Sequence, residues 1–376
     1  TMSMTDFAAM SSEQITLWSK TVWHQARHLS FLNRFMGEDA NAPIQRITQL
    51  TKDDKGTRAI ITLVADLQGD GVAGDRRLED REEGMAQYQQ AIRVDQLRHG
   101  VRNKGRMSDQ KTVVDFRKSG KDSLGFWLAD RWDQLGMLTL AGISYAKTTN
   151  GANRTDVMIN NTAFADLEFS ADVKAPSSKR RARWNKTSGL LEWGGATTDV
   201  TATDKITWAM LVQLKAEMRQ KHIRGMKEKG GEETFNIFLN PTCMAQLKLD
   251  ADYMANLRYA APREMDNPLF NGNTVKIDGL YISEHFHVPS TRGAASGSKW
   301  GSGGTVEGAV VLALGAQALA FADYSDPYWE EDQFDYKNSY GITVGKIGGF
   351  LKPQFATIYE ANTTEDFGVV VVYVAI

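Results

Sequence analysis

The sequence predicts an α+β fold. Three observations carry this: two long stretches with apolar residues at helical spacing, short apolar runs bounded by glycine or polar turns that read as strands, and a final third in which such strands alternate with one well-marked helix start. The first helix is predicted over residues 11–36. Ser11 and Gln14 have capping-box spacing, Ile15, Trp18, Val22, Ala26 and Leu29 follow on one stripe, and Gly37 is a stop. Residues 44–50 and 58–66 then read as strands flanking a turn at 52–56. Residues 68–84 are rich in glycine and charge, and 88–99 return to a strand pattern, with Ile92 and Val94 alternating against Arg93 and Asp95. This β excursion holds too little apolar material to bury a core of its own. It reads as a protruding arm that needs a neighbour to hold it.

The longest helix is predicted over 108–140, with Phe116, Leu124, Leu128, Trp132, Leu135 and Leu138 on one face and Gly142 as its end. Gly120, Gly125 and Gly136 inside it each weaken it by about 1 kcal/mol relative to alanine and allow a kink or break. Residues 143–203 read as irregular. Thr203 or Asp204 opens a further helix with Trp208, Met210, Leu211, Leu214 and Met218 on its apolar side, ending near Gly225 or Gly230. In the final third, 235–239 is a strand, and Asn240 followed by Pro241 is an N-cap with proline at the first helical position. Strands are expected over 276–283, 309–314, 340–350 and 368–375, with a glycine- and serine-rich loop at 293–304.

Composition narrows the function classes. The chain has 376 residues, 42% hydrophobic and 24% charged, as in ordinary globular proteins. A formal net charge of −2 gives it no overall basic character, unlike a dedicated nucleic-acid binder. The single cysteine, Cys243, excludes an intramolecular disulfide and fits a reducing compartment. Neither a signal peptide nor an apolar run approaching the ~20 residues of a membrane span is expected.

The candidate chemical motifs mostly read as structure. Gly69, Gly71 and Gly74 form G-x-G-x-x-G after a strand-like run, but a dinucleotide site needs a helix starting there. The following residues, Asp75 to Glu83, are dense in carboxylates that oppose a pyrophosphate, so a glycine-hinged loop is expected. His24 and His28 share a helix face, and His285 and His287 alternate on a strand edge. Zinc needs three or four ligands, so surface or interface histidines are expected instead. Cys243 sits just inside a helix start, which can lower a thiol pKa; a buried structural cysteine is expected. No P-loop or nucleophile elbow occurs. Lys174, Lys179, Arg180, Arg181, Arg183 and Lys186 form a basic run free of acidic residues, which suits phosphates, an acidic neighbour or solvent. Trp329, Glu330, Glu331, Asp332 and Asp335 form an acidic stretch read as a loop or subunit contact. No catalytic residue, cofactor or metal is expected, and a structural or binding role follows.

The run from Gly74 to Glu83 resembles the acidic loop of a family of tailed-phage major capsid proteins that includes those of N4-like podoviruses. A Gly-Asp (Gly74, Asp75), a Leu-Glu (Leu78, Glu79) and a Glu-Glu (Glu82, Glu83) recur there in this order. Gln110, Thr112, Asp115, Arg117, Leu124, Trp127 and Asp133, closing with Leu140, Ala141 and Gly142, are similar to its helical signature. So are Asn240 and Pro241, the strand from Ile277 to Leu280, and the run from Leu314 to Ala318. The resemblance covers most of the chain and is weakest over 153–203; Asp80 stands where the family leads one to expect glycine.

The resemblance implies an HK97-type fold: N-terminal arm (1–41), extended loop with flanking strands (42–107), peripheral domain with a spine helix and an irregular insertion (108–233), axial domain (234–340) and closing C-terminal strands (341–376). It also implies a shell subunit that self-assembles into hexamers and pentamers around double-stranded DNA, formed in the bacterial host cytoplasm with scaffold and portal proteins and a possible decoration protein. In it, Arg76, Arg77, Glu79, Asp80, Glu82 and Glu83 contact a neighbouring subunit. The basic run faces DNA or scaffold. The alternatives are an encapsulin-like compartment, separable by gene neighbourhood, and a dinucleotide-binding enzyme using Gly69, Gly71 and Gly74, separable by titration with dinucleotide.

Overall fold

The computed structural model describes residues 30–48, 58–65, 67, 69–106, 116–154, 164–228, 231–260, 275–357 and 363–376. The predicted first helix therefore falls largely outside the described residues. Its last part is a 3-10 turn, Leu32–Phe35, followed by the short strand β1 (Met36–Gly37) rather than a continuing helix. The strands that follow are β2 (Ile44–Ile47), β3 (Arg58–Val64), β4 (Gln87–Arg93) and β5 (Asp95–Arg102). The proposed turn at 52–56 lies outside the described residues. Its two flanking strands belong to different sheets, since β3 pairs antiparallel with β4 while β2 pairs in parallel with β1.

Helix α1 (Phe116–Ala141) is the longest element among the described residues. It runs unbroken through Gly120, Gly125 and Gly136, where a kink or break was allowed, and from Trp132 to Ala141 it is buried on every side. Tertiary packing outweighs the helix propensity of glycine here. A Cβ at Gly136 would lie 2.3 Å from Cδ1 of Leu32, so the glycine is what lets Leu32 sit against the helix. The helix ends as predicted at Gly142 (φ +67). The amide of Gly142 donates to the Thr139 carbonyl and that of Ile143 to the Leu138 carbonyl, a Schellman pair.

The middle of the chain supplies β6 (Arg181–Asn185), β7 (Leu190–Trp193), α2 (Trp208–Gln220), β8 (Met226–Lys227), β9 (Glu233–Leu239), α3 (Pro241–Lys248) and α4 (Ala251–Ala260). Asn240 caps α3 as expected, its side chain accepting from the Thr242 amide at 3.2 Å. Helix α2 begins later than predicted. Asp204 is buried and instead accepts from the amides of Thr201 and Lys186, while the first amide of α2, Trp208, is taken by Asp250 at 2.6 Å. The remaining strands are β10 (Val275–Ile277), β11 (Leu280–Glu284), β12 (Gly308–Leu314), β13 (Leu319–Asp323), β14 (Tyr328–Phe334), β15 (Ser339–Leu351), β16 (Gln354–Thr357), β17 (Thr363–Asp366) and β18 (Val369–Ala375).

Two sheets carry the molecule. A six-stranded sheet runs β1-β2-β13-β15-β14, with β5 also paired to the 13-residue β15. An eight-stranded sheet runs β10-β11-β9-β12-β18-β6-β7, with β8 on β9. In the second, β12 and β18 are buried on both faces. Val310, Leu312, Leu314, Val369, Val371 and Tyr373 join the core around α1, while Ala309, Val311, Ala313, Val370, Val372 and Val374 join the core around α2 and α3. Strands buried on both faces read as continuous apolar runs, which is why these two were legible.

Beyond β15, Lys352 and Asp366 form an ion pair at 3.1 Å with both side chains fully buried. Gln354 donates to the free oxygen of Asp366 at 2.6 Å, and the Ser177 amide donates to the paired one at 3.1 Å. Burial pulls the Lys352 ammonium below the ordinary lysine value, against the opposing pull of Asp366.

Candidate functional site

The β3–β4 hairpin packs only its inner face. Ala59 and Ile92 are buried against Ala320, Ala322 and Leu351 of the six-stranded sheet, while Ile60 and Val64 point into solvent. The ladder runs one step past the hairpin, with the Ala65 amide donating to Ala86 at 2.9 Å. Beyond it, residues 69–87 are exposed apart from half-buried Val72. What holds this loop is local: the Gly69 amide on Glu83 (2.6 Å), a salt bridge between Arg77 and Glu79, and the Arg81 amide on the Leu78 carbonyl (3.0 Å). Arg76, Arg77, Glu79, Asp80, Glu82 and Glu83 all lie on this exposed loop, interleaved with exposed Leu67, Leu78 and Met85.

Gly71 and Gly74 have φ of +75° and +69°, as a hinged loop requires, and only turns follow them. No helix N-terminus stands at the motif to meet a pyrophosphate. Asp80 has φ +67°, so the position where glycine was expected does adopt the left-handed conformation, with aspartate in it.

A second site joins the N-terminal segment to α1. Asp133 is buried and accepts from the Ser30 hydroxyl (2.6 Å) and from the amides of Phe31 (2.7 Å) and Leu32 (3.2 Å). Burial lifts its carboxyl above the usual aspartate value, against those three hydrogen bonds. Phe31 stacks on His285 and meets Phe238 edge-on. His287 was expected at a surface or interface; it is buried, with Nε2 2.6 Å from Asp130. Among the described residues no group of three or more His, Cys, Asp or Glu is arranged to hold a metal. His24 and His28 lie outside the described residues. Asp133 appears in the sequence as a carboxylate interrupting an apolar helical run, a signal for a buried partner but not for which one.

The basic run is not one surface. Lys174 and Lys186 are exposed and Lys179 and Arg181 half-buried, but Arg180 is buried and donates to the Lys221 carbonyl at 3.1 Å. Arg183 pairs with Glu192 at 2.9 Å and lies 4.0 Å from buried Asp204. The intervening Ala182 and Trp184 enter the α2–α3 core, which leaves Arg181 and Arg183 on the other face of β6; the run is broken by the burial of Arg180 and the pairing of Arg183. Of the acidic stretch, Trp329 to Asp332 lie in strand β14 where a loop or subunit contact was expected, and Asp335 is in the turn after it. Trp329 is buried and Glu331 pairs with Arg117 at 3.0 Å, while Glu330 and Asp332 alternate outward. Cys243 is buried in α3, and burial pushes its thiol up to about 12, the reverse of an activated nucleophile.

Comparison with solved structures gives the class. The capsid of Ralstonia phage GP4 matches at a TM-score of 0.73 with 24% identity, over 92% of this chain and 91% of that one. The cyanophage Pam1 capsid matches at 0.71 with 18% identity, over 98% and 94%. The fold is thus the α+β HK97-type capsid fold. The chain belongs to the phage capsid protein family, whose profile matches residues 6–376. The major capsid protein of Pseudomonas phage KPP25 is 52% identical over 371 residues, 99% of this chain and 97% of that one. The role of this chain is therefore structural and not catalytic: it self-associates in a capsid shell.

Proposed function

We propose that this chain closes into hexamers and pentamers of an icosahedral head around double-stranded DNA, and that the loop carrying Arg76, Arg77, Glu79, Asp80, Glu82 and Glu83 lies across an adjacent subunit. The observation that carries the reading is the exposure of residues 69–87 together with Leu67, Leu78 and Met85. A loop with apolar side chains in solvent and no packing of its own gains stability only from a partner surface. Its mixed charges set register and partner choice more than affinity, and heterologous contacts of this kind close into rings. Deleting 68–84 is expected to leave a soluble, folded subunit that forms no shells in negative-stain microscopy; normal-sized particles from that variant would overturn the proposal.

The division into arm, extended loop, peripheral domain, axial domain and C-terminal strands at 41, 107, 233 and 340 belongs to the same reading, as does membership of the N4-like group. So do assembly in the host cytoplasm and the scaffold, portal and decoration partners. Of the basic run, we assign contact with DNA or scaffold to the half-buried and exposed side chains Lys174, Lys179, Arg181 and Lys186, supported by their exposure, whereas Arg180 and Arg183 are taken up by the fold. Neutralising Lys174, Lys179 and Lys186 is expected to lower DNA retention or assembly yield, and full packaging at unchanged yield would reject that role.

A further inference from the structure

Three elements meet where residues 30–36 join the body of the protein: that segment, the middle of α1, and the turn 285–288 after β11. The turn is tight. The His285 amide donates to the Leu239 carbonyl (3.0 Å) and the Val288 amide to the His285 carbonyl (3.2 Å). The His287 amide donates to Nδ1 of the His285 ring at 3.3 Å. That ring lies on Phe31, with centroids 4.3 Å apart and planes 19° apart, and it also touches the rings of Phe286 and His287. Phe31 is itself fixed by its amide on Asp133.

Because Nδ1 of His285 accepts a hydrogen bond, it carries no proton in this arrangement. The ionisable groups around it are Arg34 on the segment, Asp130 on α1 and His287 on its own turn; Asp133 on α1 acts on His287, and neighbouring Glu284 is exposed. We propose that the 285–288 turn is an acid-released clasp on the N-terminal segment: a proton on Nδ1 of His285 removes the acceptor of the His287 amide, sets a charged ring on Phe31, and frees residues 30–36 from α1. A cation over an aromatic ring gains some attraction. Here it is opposed by the lost hydrogen bond, by burial, and by Arg34 and His287 alongside.

Burial first, then His287, hold His285 down at about 4, from an ordinary 6.5. A histidine lowered in the closed state contributes its full stabilisation above the open-state value and loses it as pH falls toward the closed-state value. The clasp is therefore closed at full strength above pH 6.5 and weakens between 6.5 and about 4. Opening should rise about 30-fold by pH ~5.

Hydrogen–deuterium exchange of the full chain, read by mass spectrometry on peptides covering 30–37 and corrected for intrinsic pH dependence, measures the opening. The expected result is a rise of about that size at pH ~5 while peptides from β12 and β18 stay protected. In His285→Phe, which keeps a stacked ring but cannot be charged, the pH dependence should vanish. Exchange of the His285 ring C2 proton on the same samples should titrate well below 6.5. Flat protection of 30–37 throughout acidification, loss of β12 and β18 protection at the same pH, or a C2 titration at or above the ordinary value would each overturn the clasp. Parallel opening in His285→Phe would too, and if that variant does not fold, the wild-type profile and the C2 titration decide.

Discussion

Strands β12 and β18 and the hairpin β3–β4 are both antiparallel pairs of seven-residue strands, but they are held by different things. Every residue of β12 and β18 is buried, one face against α1 and the other against α2 and α3. In β3 and β4 only Ala59 and Ile92 are fully buried, and the loop they carry reaches solvent with Leu78 and Met85 uncovered. The first pair is stabilised within the chain. The second packs one face on the six-stranded sheet and leaves the other, and the loop beyond it, in solvent. Backbone pairing is alike in both, so it is side-chain burial that separates the core pair from the exposed one.

The contrast can be broken or sharpened by mutation. The largest effect is expected in the interior beside β18. Asp366→Asn leaves Lys352 buried without its counter-charge and should cost about 3–5 kcal/mol in urea unfolding, most of it recovered when both are replaced by Met and Leu. Leu312→Ala in β12 should cost about 2–5 kcal/mol by the same measurement. Ile60→Ala and Leu78→Ala, on the excursion, should change subunit stability by no more than about 0.5 kcal/mol while lowering the yield of shells in sedimentation. Should Leu78→Ala destabilise the isolated subunit as much as Leu312→Ala, the two regions would not differ in kind. Asp80→Gly should have the smallest effect, a gain of roughly 0.5 kcal/mol or less, because aspartate tolerates the left-handed region better than most residues and glycine restores freedom to the unfolded chain. The buried Cys243 gives a check on the core side: its thiol should resist a disulfide reagent in the native subunit and react once urea unfolds it.

Where one local rule decided the outcome, the sequence sufficed. The apolar runs of β12 and β18, the Asn240–Pro241 helix start, the Gly142 helix end and the charge-rich excursion with no core of its own follow from burial pattern, capping and backbone geometry, which act over a few residues. The class of protein was legible in the loop from Gly74 to Glu83. Whatever depended on partners distant in the chain needed the tertiary structure. Helix α1 stays whole across three glycines, with Leu32 and Phe350 closing over Gly136 and Val101 and Ile342 beside Gly120. β14 is a strand, despite its carboxylates, because it pairs along its length with β15 and buries Trp329, while Arg117 meets Glu331 across 214 residues of sequence. The basic run divides because Arg180 is buried on the Lys221 carbonyl and Arg183 is paired with Glu192. Asp133 is met by Ser30, Phe31 and Leu32, His285 stacks on Phe31, and Asp366 beside Lys352 accepts from the Ser177 amide across 189 residues. Local propensities amount to fractions of a kcal/mol per residue, whereas a buried charge or a filled core position is worth several, so the second overrules the first wherever they conflict.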